Sequence, residues 1–173
     1  IDRIYLRPIG PEDEPFLFSL YVKAREEGLE SFSREGADKA QKVDRDKADQ
    51  ASLLMIQFKA HQHHYATISP QADQMIIEVD GRRAGSLIVI RARKEIRLAE
   101  IVLLPEYRNR GIGSALIEDL AGEAGRSGLP LRLHVAKFNR AIRLYRRLGF
   151  VLIGDVGTHY FMERRPKGHS SVL

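Results

Sequence analysis

The sequence predicts an α/β fold of the α+β kind, a mixed and mostly antiparallel sheet of about seven strands flanked by about four helices. Three observations predict it. Apolar strands follow one another from Met75 to Leu104, with Asp80-Gly81 as a hairpin signal between the first two. Beyond Leu104, strands alternate with amphipathic helices, which requires a crossover connection and a parallel pair. The 173 residues, 43% hydrophobic and 29% charged, suffice for a single domain spanning 1–173 with one substantial core.

Taken in order, Ile4, Leu6 and Pro8 make a short first strand. Pro11 to Pro15 opens a helix with Phe16, Leu17, Leu20, Tyr21 and Ala24 on one face and Gly28 near its end. Ser31 to Lys47 is polar and without period, so it reads as a loop, equally a surface linker or a lid over a substrate. A second helix runs from about Asp46 to Tyr65 on the spacing of Ala48, Ala51, Met55, Phe58 and Tyr65. It carries His61, His63 and His64. The i, i+3 spacing of His61 and His64 suits two metal ligands, but no third ligand lies close in sequence, so no metal site is expected. We read these histidines as solvated or as lining an acceptor site.

Met75–Val79, Ala84–Ile90 and Ile96–Leu104 form an antiparallel meander. The helix opened at Gly111 ends near Gly125 to Gly128. Leu131, Leu133 and Val135 alternate with Arg132 and His134 as a half-exposed strand. A helix from Asn139 to Leu148 is capped by Asn139 and stopped at Gly149. Phe150–Val156 and Thr158–Glu163 close as a hairpin, and Arg164–Leu173 reads as a frayed tail. The sequence contains no internal repeat.

Composition narrows the function classes. No apolar run reaches the ~18 residues of a membrane span. Ile1 to Pro8 reads as strand and not as a secretory signal, so a cytoplasmic setting is expected. The absence of cysteine excludes disulfides, thiolate metal sites and a cysteine nucleophile. The net charge of +5 admits a polyanionic partner. Its arginines gather at Arg91–Arg97, Arg108–Arg110 and Arg140–Arg147. No nucleic-acid motif accompanies them.

The most informative stretch is AEIVLLPEYRNRGIGSAL, Ala99 to Leu116. A buried strand stops at Pro105, a short basic turn follows, and Gly111-Ile112-Gly113 opens a helix with Ile112, Ala115, Leu116 and Leu120 on its apolar face. That order sets unpaired N–H groups and a helix dipole at a strand end, a place that binds anions. Gly111 and Gly113 let a phosphate approach the backbone, and Arg108 and Arg110 add charge. A Walker A loop is excluded because Ser114-Ala115 follows Gly113. A dinucleotide fingerprint is excluded because Leu116 stands at its third small position.

In context, Arg108-Asn109-Arg110-Gly111-Ile112-Gly113 resembles the acetyl-CoA loop, Arg/Gln-x-x-Gly-x-Gly/Ala, of the GCN5-related N-acetyltransferase (GNAT) family. Leu131 to Val151 resembles the family's second motif through Tyr145, Gly149 and Phe150. One residue departs: the family's pantetheine-contacting Asn commonly lies seven positions before the Tyr, where Phe138 stands here, and Asn139 lies six before. The resemblance covers Met75 to Met162, while Ile1 to Tyr65 matches in element order only.

The resemblance implies a GNAT-like sheet with a splayed parallel strand pair at the cofactor site. It implies acetyl-CoA as co-substrate and direct transfer of acetyl to a primary amine of a small molecule, peptide or protein. Residues 1–70 would form the acceptor side. Arg108, Asn109, Arg110, Gly111, Ile112, Gly113 and Ser114 would hold the pyrophosphate, and Asn139 would touch the pantetheine. A bulge at the end of the preceding strand would aim a backbone N–H of Leu103, with Leu104 beside it, at the thioester oxygen.

Tyr145 would serve the departing thiolate, since a phenol of pKa ~10 can protonate or hydrogen-bond a thiolate of pKa ~8.5. Read from spacing alone, Tyr145 is a core aromatic sharing a face with Ile142 and Leu148. Glu100, in an apolar strand, is either a general base for the amine or an ion-pair partner of Arg97 or Arg132. His134 and His159 are weaker alternatives. Two other classes compete with the enzyme: an acyl-CoA-holding module without chemistry, and a basic nucleic-acid binder. The acceptor would be set by Pro11 to Ile68, and the net charge favours a neutral or acidic one over a polyamine. Pairing of two copies through an edge strand is compatible with the pattern, with no residue marking it.

Overall fold

Seven strands join in one sheet, in the order β1-β2-β3-β4-β5-β7-β6. The computed structural model describes residues 1–27, 47–67, 69 and 71–168. The strands are β1 (Ile4–Pro8), β2 (Ala72–Val79), β3 (Arg82–Arg91), β4 (Ile96–Leu103), β5 (Leu131–Ala136), β6 (Val151–Asp155) and β7 (His159–Arg164). The helices are α1 (Glu14–Glu26), α2 (Lys47–Thr67), α3 (Ile112–Arg126) and α4 (Ala141–Arg147). Each neighbouring pair of strands is antiparallel except β4 and β5, which run parallel.

The expected elements are present, with instructive differences at their ends. A 3-10 turn over Pro11–Asp13 precedes α1, because prolines suit only the first turn of a helix. Asp80 and Gly81 both take positive φ, 49° and 78°, the hairpin geometry that their sequence signals. α4 begins at Ala141 and not at Asn139. The Asn139 side chain still serves as its cap, accepting the Ala141 N–H at 2.9 Å. Arg164 is no part of a frayed tail: it closes β7 and donates to the Leu148 carbonyl at 2.9 Å. The expected loop up to residue 46, Gly28 and residues 169–173 lie outside the described residues, while Lys47 opens α2.

The two faces of the sheet bury different layers. Ile77, Leu87, Leu98, Leu133 and Met162 pack with Ile112, Ile117 and Leu120 of α3 and Tyr145 of α4. Ile76, one position from Ile77, faces the other way, against Leu17 of α1 and Phe58 of α2. This is period-2 alternation dividing one strand between two cores.

Asp13 fixes the N-terminal layer. Its carboxylate is fully buried and accepts from Arg7 at 2.7 and 2.8 Å, from Arg83 at 2.8 Å and from the Gly10 N–H at 2.8 Å. The Arg7 guanidinium holds the Asp13 carboxyl well below the usual carboxylate range, against the opposing effect of burial. One acid thereby ties the entry of α1 to β1 and β3.

Removing that charge leaves Arg83 without its carboxylate and Arg7 with Glu78 alone, both cations being partly exposed. We expect Asp13→Asn to lower unfolding free energy by about 1–2 kcal/mol in urea titrations. Because the folded-state pKa is depressed, the stabilisation is complete above about pH 5 and fades as pH falls below about 4. Wild type should therefore lose its advantage over Asp13→Asn on acidification.

Candidate active site

β4 carries Ile96 and Leu98 into the core beneath α3, and a strict alternation would send residue 100 the same way. The register shows otherwise. Ile88 of β3 pairs with Glu100 and Val89 pairs with Leu98, so Ala99 is an extra, bulged residue. Beyond it the parity flips: Ile101 and Leu103 turn to the α3 side, while Val102 packs with Leu20 and Ala24 of α1. Glu100 consequently faces α2.

The bulge also marks where β4 leaves β5. The parallel pair joins only Ile96 to Leu131 and Arg97 to Arg132. A bulge bends its strand and raises its twist, and the remainder of β4 diverges from β5 to leave a gap. Beside this gap, the Leu104 N–H donates to the Ala84 carbonyl at 2.8 Å. By alternation along an antiparallel ladder, residue 103 then presents its backbone to the gap. Its carbonyl is engaged by Arg108 Nε at 2.9 Å. Two expectations need correction. The bulge lies at Ala99 and not at the strand end, and the Leu104 N–H is already engaged by β3.

At the far end of β4, the 3-10 turn Pro105–Tyr107 leads to Asn109 and Gly111, both at positive φ, 58° and 80°. Gly111 is the N-cap of α3 and has no side chain with which to cap it, and the first turn of α3 contains no acid. The first helical bond runs from the Ala115 N–H to the Gly111 carbonyl at 3.0 Å. The helix therefore offers no acceptor to the N–H groups of Ile112, Gly113 and Ser114. A Cβ placed on Gly113 would meet only Leu144 Cδ2, at 3.9 Å, so the space before the helix is open.

The arginines of this turn are not free charges. Arg108 pairs with Glu27, and Arg110 grips Asp2 at 2.7 and 3.1 Å while lying over the Tyr107 ring. Arg140, Arg143, Arg146 and Arg147 around α4 form no ion pair with a described residue. Leu144 brings that helix beside the start of α3. The donors at the start of α3 are thus chiefly backbone N–H, with side-chain charge held nearby.

Tyr145 of α4 is buried and meets Phe150 edge-on, with ring centres 5.7 Å apart. Burial pushes its phenol up to about 12. Phe138, at the place where the resemblance expects Asn, is fully exposed.

On the opposite side of the gap, Glu100 Oε2 lies 2.8 Å from His61 Nε2 of α2. The expected alternatives for Glu100 do not form. Arg97 pairs instead with Glu95 at 2.7 Å, and Arg132 pairs with Glu95 and Glu163 at 2.8 and 2.7 Å. His61 packs against Tyr21 and Tyr65, with ring centres at 5.5 and 5.3 Å. Burial, and then the charge of Glu100, raise the Tyr65 phenol. On the neighbouring strands His134 stacks on Phe161 at 4.5 Å, and His159 contacts the Thr158 hydroxyl at 2.7 Å. The His61–Glu100 contact spans 39 residues and left no local sequence signal.

Residues 70–152 match the family profile described as an acetyltransferase (GNAT) domain. That stretch, just under half of the chain, is similar to the GNAT acetyltransferase domain. Its fold agrees. The PaiA N-acetyltransferase of Thermoplasma acidophilum, solved with coenzyme A, superposes at a TM-score of 0.68 over 94% of this chain and 99% of that one, at 17% identity. The ribosomal-protein-S18-alanine N-acetyltransferase of Escherichia coli gives a TM-score of 0.61 over 99% of each chain, at 18% identity. In sequence, the spermidine N(1)-acetyltransferase of Escherichia coli K12 is 33% identical over 95 residues, 51% of this chain and 50% of the relative. The chain thus spans about half the length of the curated relatives it matches.

The GNAT family uses acetyl-CoA as co-substrate. An uncapped helix suits its diphosphate, and the gap beside β4 suits an extended arm that pairs with exposed backbone. Gly111 and Gly113 should respond oppositely to a methyl group. Gly111→Ala, forced into left-handed backbone, should lose about 1 kcal/mol of stability. Gly113→Ala, within helix and unobstructed, should be neutral or gain about 0.5 kcal/mol. Urea unfolding of the two variants measures both.

Proposed function

We propose that this chain transfers an acetyl group from acetyl-CoA to a primary amine, by direct attack with both substrates bound. The observation that carries this reading is the open N-terminus of α3 beside the gap where β4 leaves β5. Acetyl-CoA would supply the acetyl group as an activated thioester. The N–H groups of Ile112, Gly113 and Ser114 hold its diphosphate, with Asn109 and Gly111 shaping the turn. Arg108 and Arg110 join only by exchanging Glu27 and Asp2 for phosphate, so their role is secondary to the backbone. The Leu103 N–H donates to the thioester oxygen as charge develops there. Asn139, already engaged as the α4 cap, contributes through the position of that helix.

Tyr145 and Glu100 divide the proton work. With its pKa at about 12, Tyr145 stays protonated at neutral pH. Full transfer from such a phenol to a thiolate of pKa ~8.5 would be uphill by about 5 kcal/mol. Its part is therefore to donate a hydrogen bond to the leaving sulfur. Glu100 accepts a proton from the amine, which reaches the site from the α1 and α2 side. Spermidine, the substrate in the name of the Escherichia coli relative, belongs in the first acceptor screen beside peptide N-termini.

Calorimetry with acetyl-CoA and CoA tests the cofactor site. Wild type should bind both, and Gly113→Glu should remain folded and lose at least about a hundredfold in affinity, because a charged side chain would fill the approach to the helix. Tyr145→Phe should keep CoA affinity and lower kcat by about tenfold to a hundredfold. A folded wild type that binds no CoA at millimolar concentration overturns the proposal. Binding without turnover of any amine would mark a module that holds acyl-CoA and does no chemistry.

A further inference from the structure

His61 is the side chain that the proposed reaction has not used. It stands on α2, far in sequence from the motif region, yet its Nε2 meets Glu100 Oε2 at 2.8 Å. Both side chains are largely shielded, at 19% and 13% exposure, so this contact is less screened by water than a surface pair. The His61 ring is confined between Tyr21 of α1 and Tyr65 of α2, and Tyr21 rests in turn on buried Phe58, with ring centres 5.6 Å apart. A histidine packed this way has little rotamer freedom to lose when it holds a partner.

The place of the contact matters as much as its length. Glu100 is the first residue after the bulged Ala99, and the β4–β5 pairing has ended at Arg97 and Arg132. Only one of its two oxygens meets His61, and the other makes no hydrogen bond to a described residue. Across the gap, on the same face of the sheet, His134 lies stacked on Phe161.

We propose that His61 is a positioning residue for the amine acceptor: it holds Glu100 through Oε2, so that Oε1 receives the amine nitrogen at the mouth of the β4–β5 gap. The inference rests on the acetyl-transfer reading. An alkylamine arrives mostly as its ammonium form, pKa ~10.4. One proton passes from nitrogen to the Glu100 carboxylate and on to solvent. The nitrogen lone pair then forms the N–C bond to the acetyl carbon as the C–S bond breaks with its electron pair on sulfur. The second nitrogen proton ends on sulfur, giving amide and thiol. His61 takes no part in the bond changes. It fixes where the carboxylate stands, which is the kind of orientation that governs rate steeply.

The experiment compares wild type, His61→Gln, His61→Leu and Glu100→Gln. Acetyl-CoA affinity is measured by calorimetry, and thiol release is followed with spermidine and n-propylamine as probe amines. His61→Gln keeps a donor for Glu100 and should stay within about fivefold of wild type in kcat/KM for the amine. His61→Leu keeps packing but not donation and should lose about thirtyfold or more, with acetyl-CoA affinity unchanged within about twofold. In Glu100→Gln, adding His61→Leu should cost little more, since His61 acts only through that carboxylate.

Ring-nitrogen NMR supplies a readout independent of turnover. Among the described residues, Glu100 of β4, Tyr21 of α1 and Tyr65 of α2 contact His61. Glu100→Gln removes the carboxylate in contact with the ring, so the His61 titration midpoint should fall by about one pH unit. A His61→Leu variant as active as wild type, additive losses, or an unmoved midpoint each overturn the inference alone. Acetyl-CoA binding with no thiol release to either amine also overturns it. Failure of wild type to bind acetyl-CoA overturns the acetyl-transfer reading itself.

Discussion

Ala99 is the residue that β4 carries in excess of β3, and the geometry of the site follows from that one insertion. Antiparallel pairing requires each strand residue to face a partner. A residue without one bends the strand and reverses the alternation beyond it. Before Ala99, Leu98 serves the large core; after it, Val102 serves the smaller one under α1. The bend separates β4 from β5 after two residue pairs, and the reversal turns Glu100 toward α2. Gap and carboxylate are two consequences of the same backbone event.

Around that gap the chain leaves donors unsatisfied where it elsewhere satisfies them. α4 is capped by the Asn139 side chain, and the Gly10 N–H at the entry to α1 is taken by Asp13. α3 alone begins at a glycine in left-handed backbone with neither a capping side chain nor an acid in its first turn. Arginines are treated with similar economy: Arg7, Arg91, Arg97, Arg108, Arg110, Arg132 and Arg164 all hold carboxylates. An anion at α3 is therefore met first by oriented backbone, which needs no rearrangement to receive it.

The α1–α2 layer depends on a second arrangement that is electrostatic at one end and aromatic at the other. Asp13 anchors the start of α1 against β1 and β3 through Arg7 and Arg83. Phe18 and Tyr21 of α1 then meet Phe58 of α2 at ring separations of 5.4 and 5.6 Å. Through this chain of contacts the position of His61 is set by a buried carboxylate at the far edge of the sheet. The sheet ends at the other edge in β6, where Val151, Leu152 and Ile153 are exposed.

Much of this molecule is decided by local chemistry. Pro105, Gly111 and Gly113, with helical spacing from Ile112 to Leu120, are enough to specify a strand, a turn and a helix with an open N-terminus. The alternation of Leu131, Leu133 and Val135 specifies which face of β5 is buried. Residues close in sequence carry those signals because they act through backbone conformation and period. Tyr145 was legible as a buried aromatic for the same reason, while the rise of its phenol to about 12 required knowing what surrounds it. The partners of Glu100 and of Arg108 were not legible, since His61 and Glu27 reach them across 39 and 81 residues. The bulge was not legible either. An apolar run such as IRLAEIVL fits a straight strand as well as a bent one, and only pairing with β3 reveals that Ala99 has no partner. The sequence by itself determined the elements and the turn that leaves the start of α3 uncapped. Only the tertiary structure decided where β4 parts from β5 and which way Glu100 faces, because both depend on the register between strands.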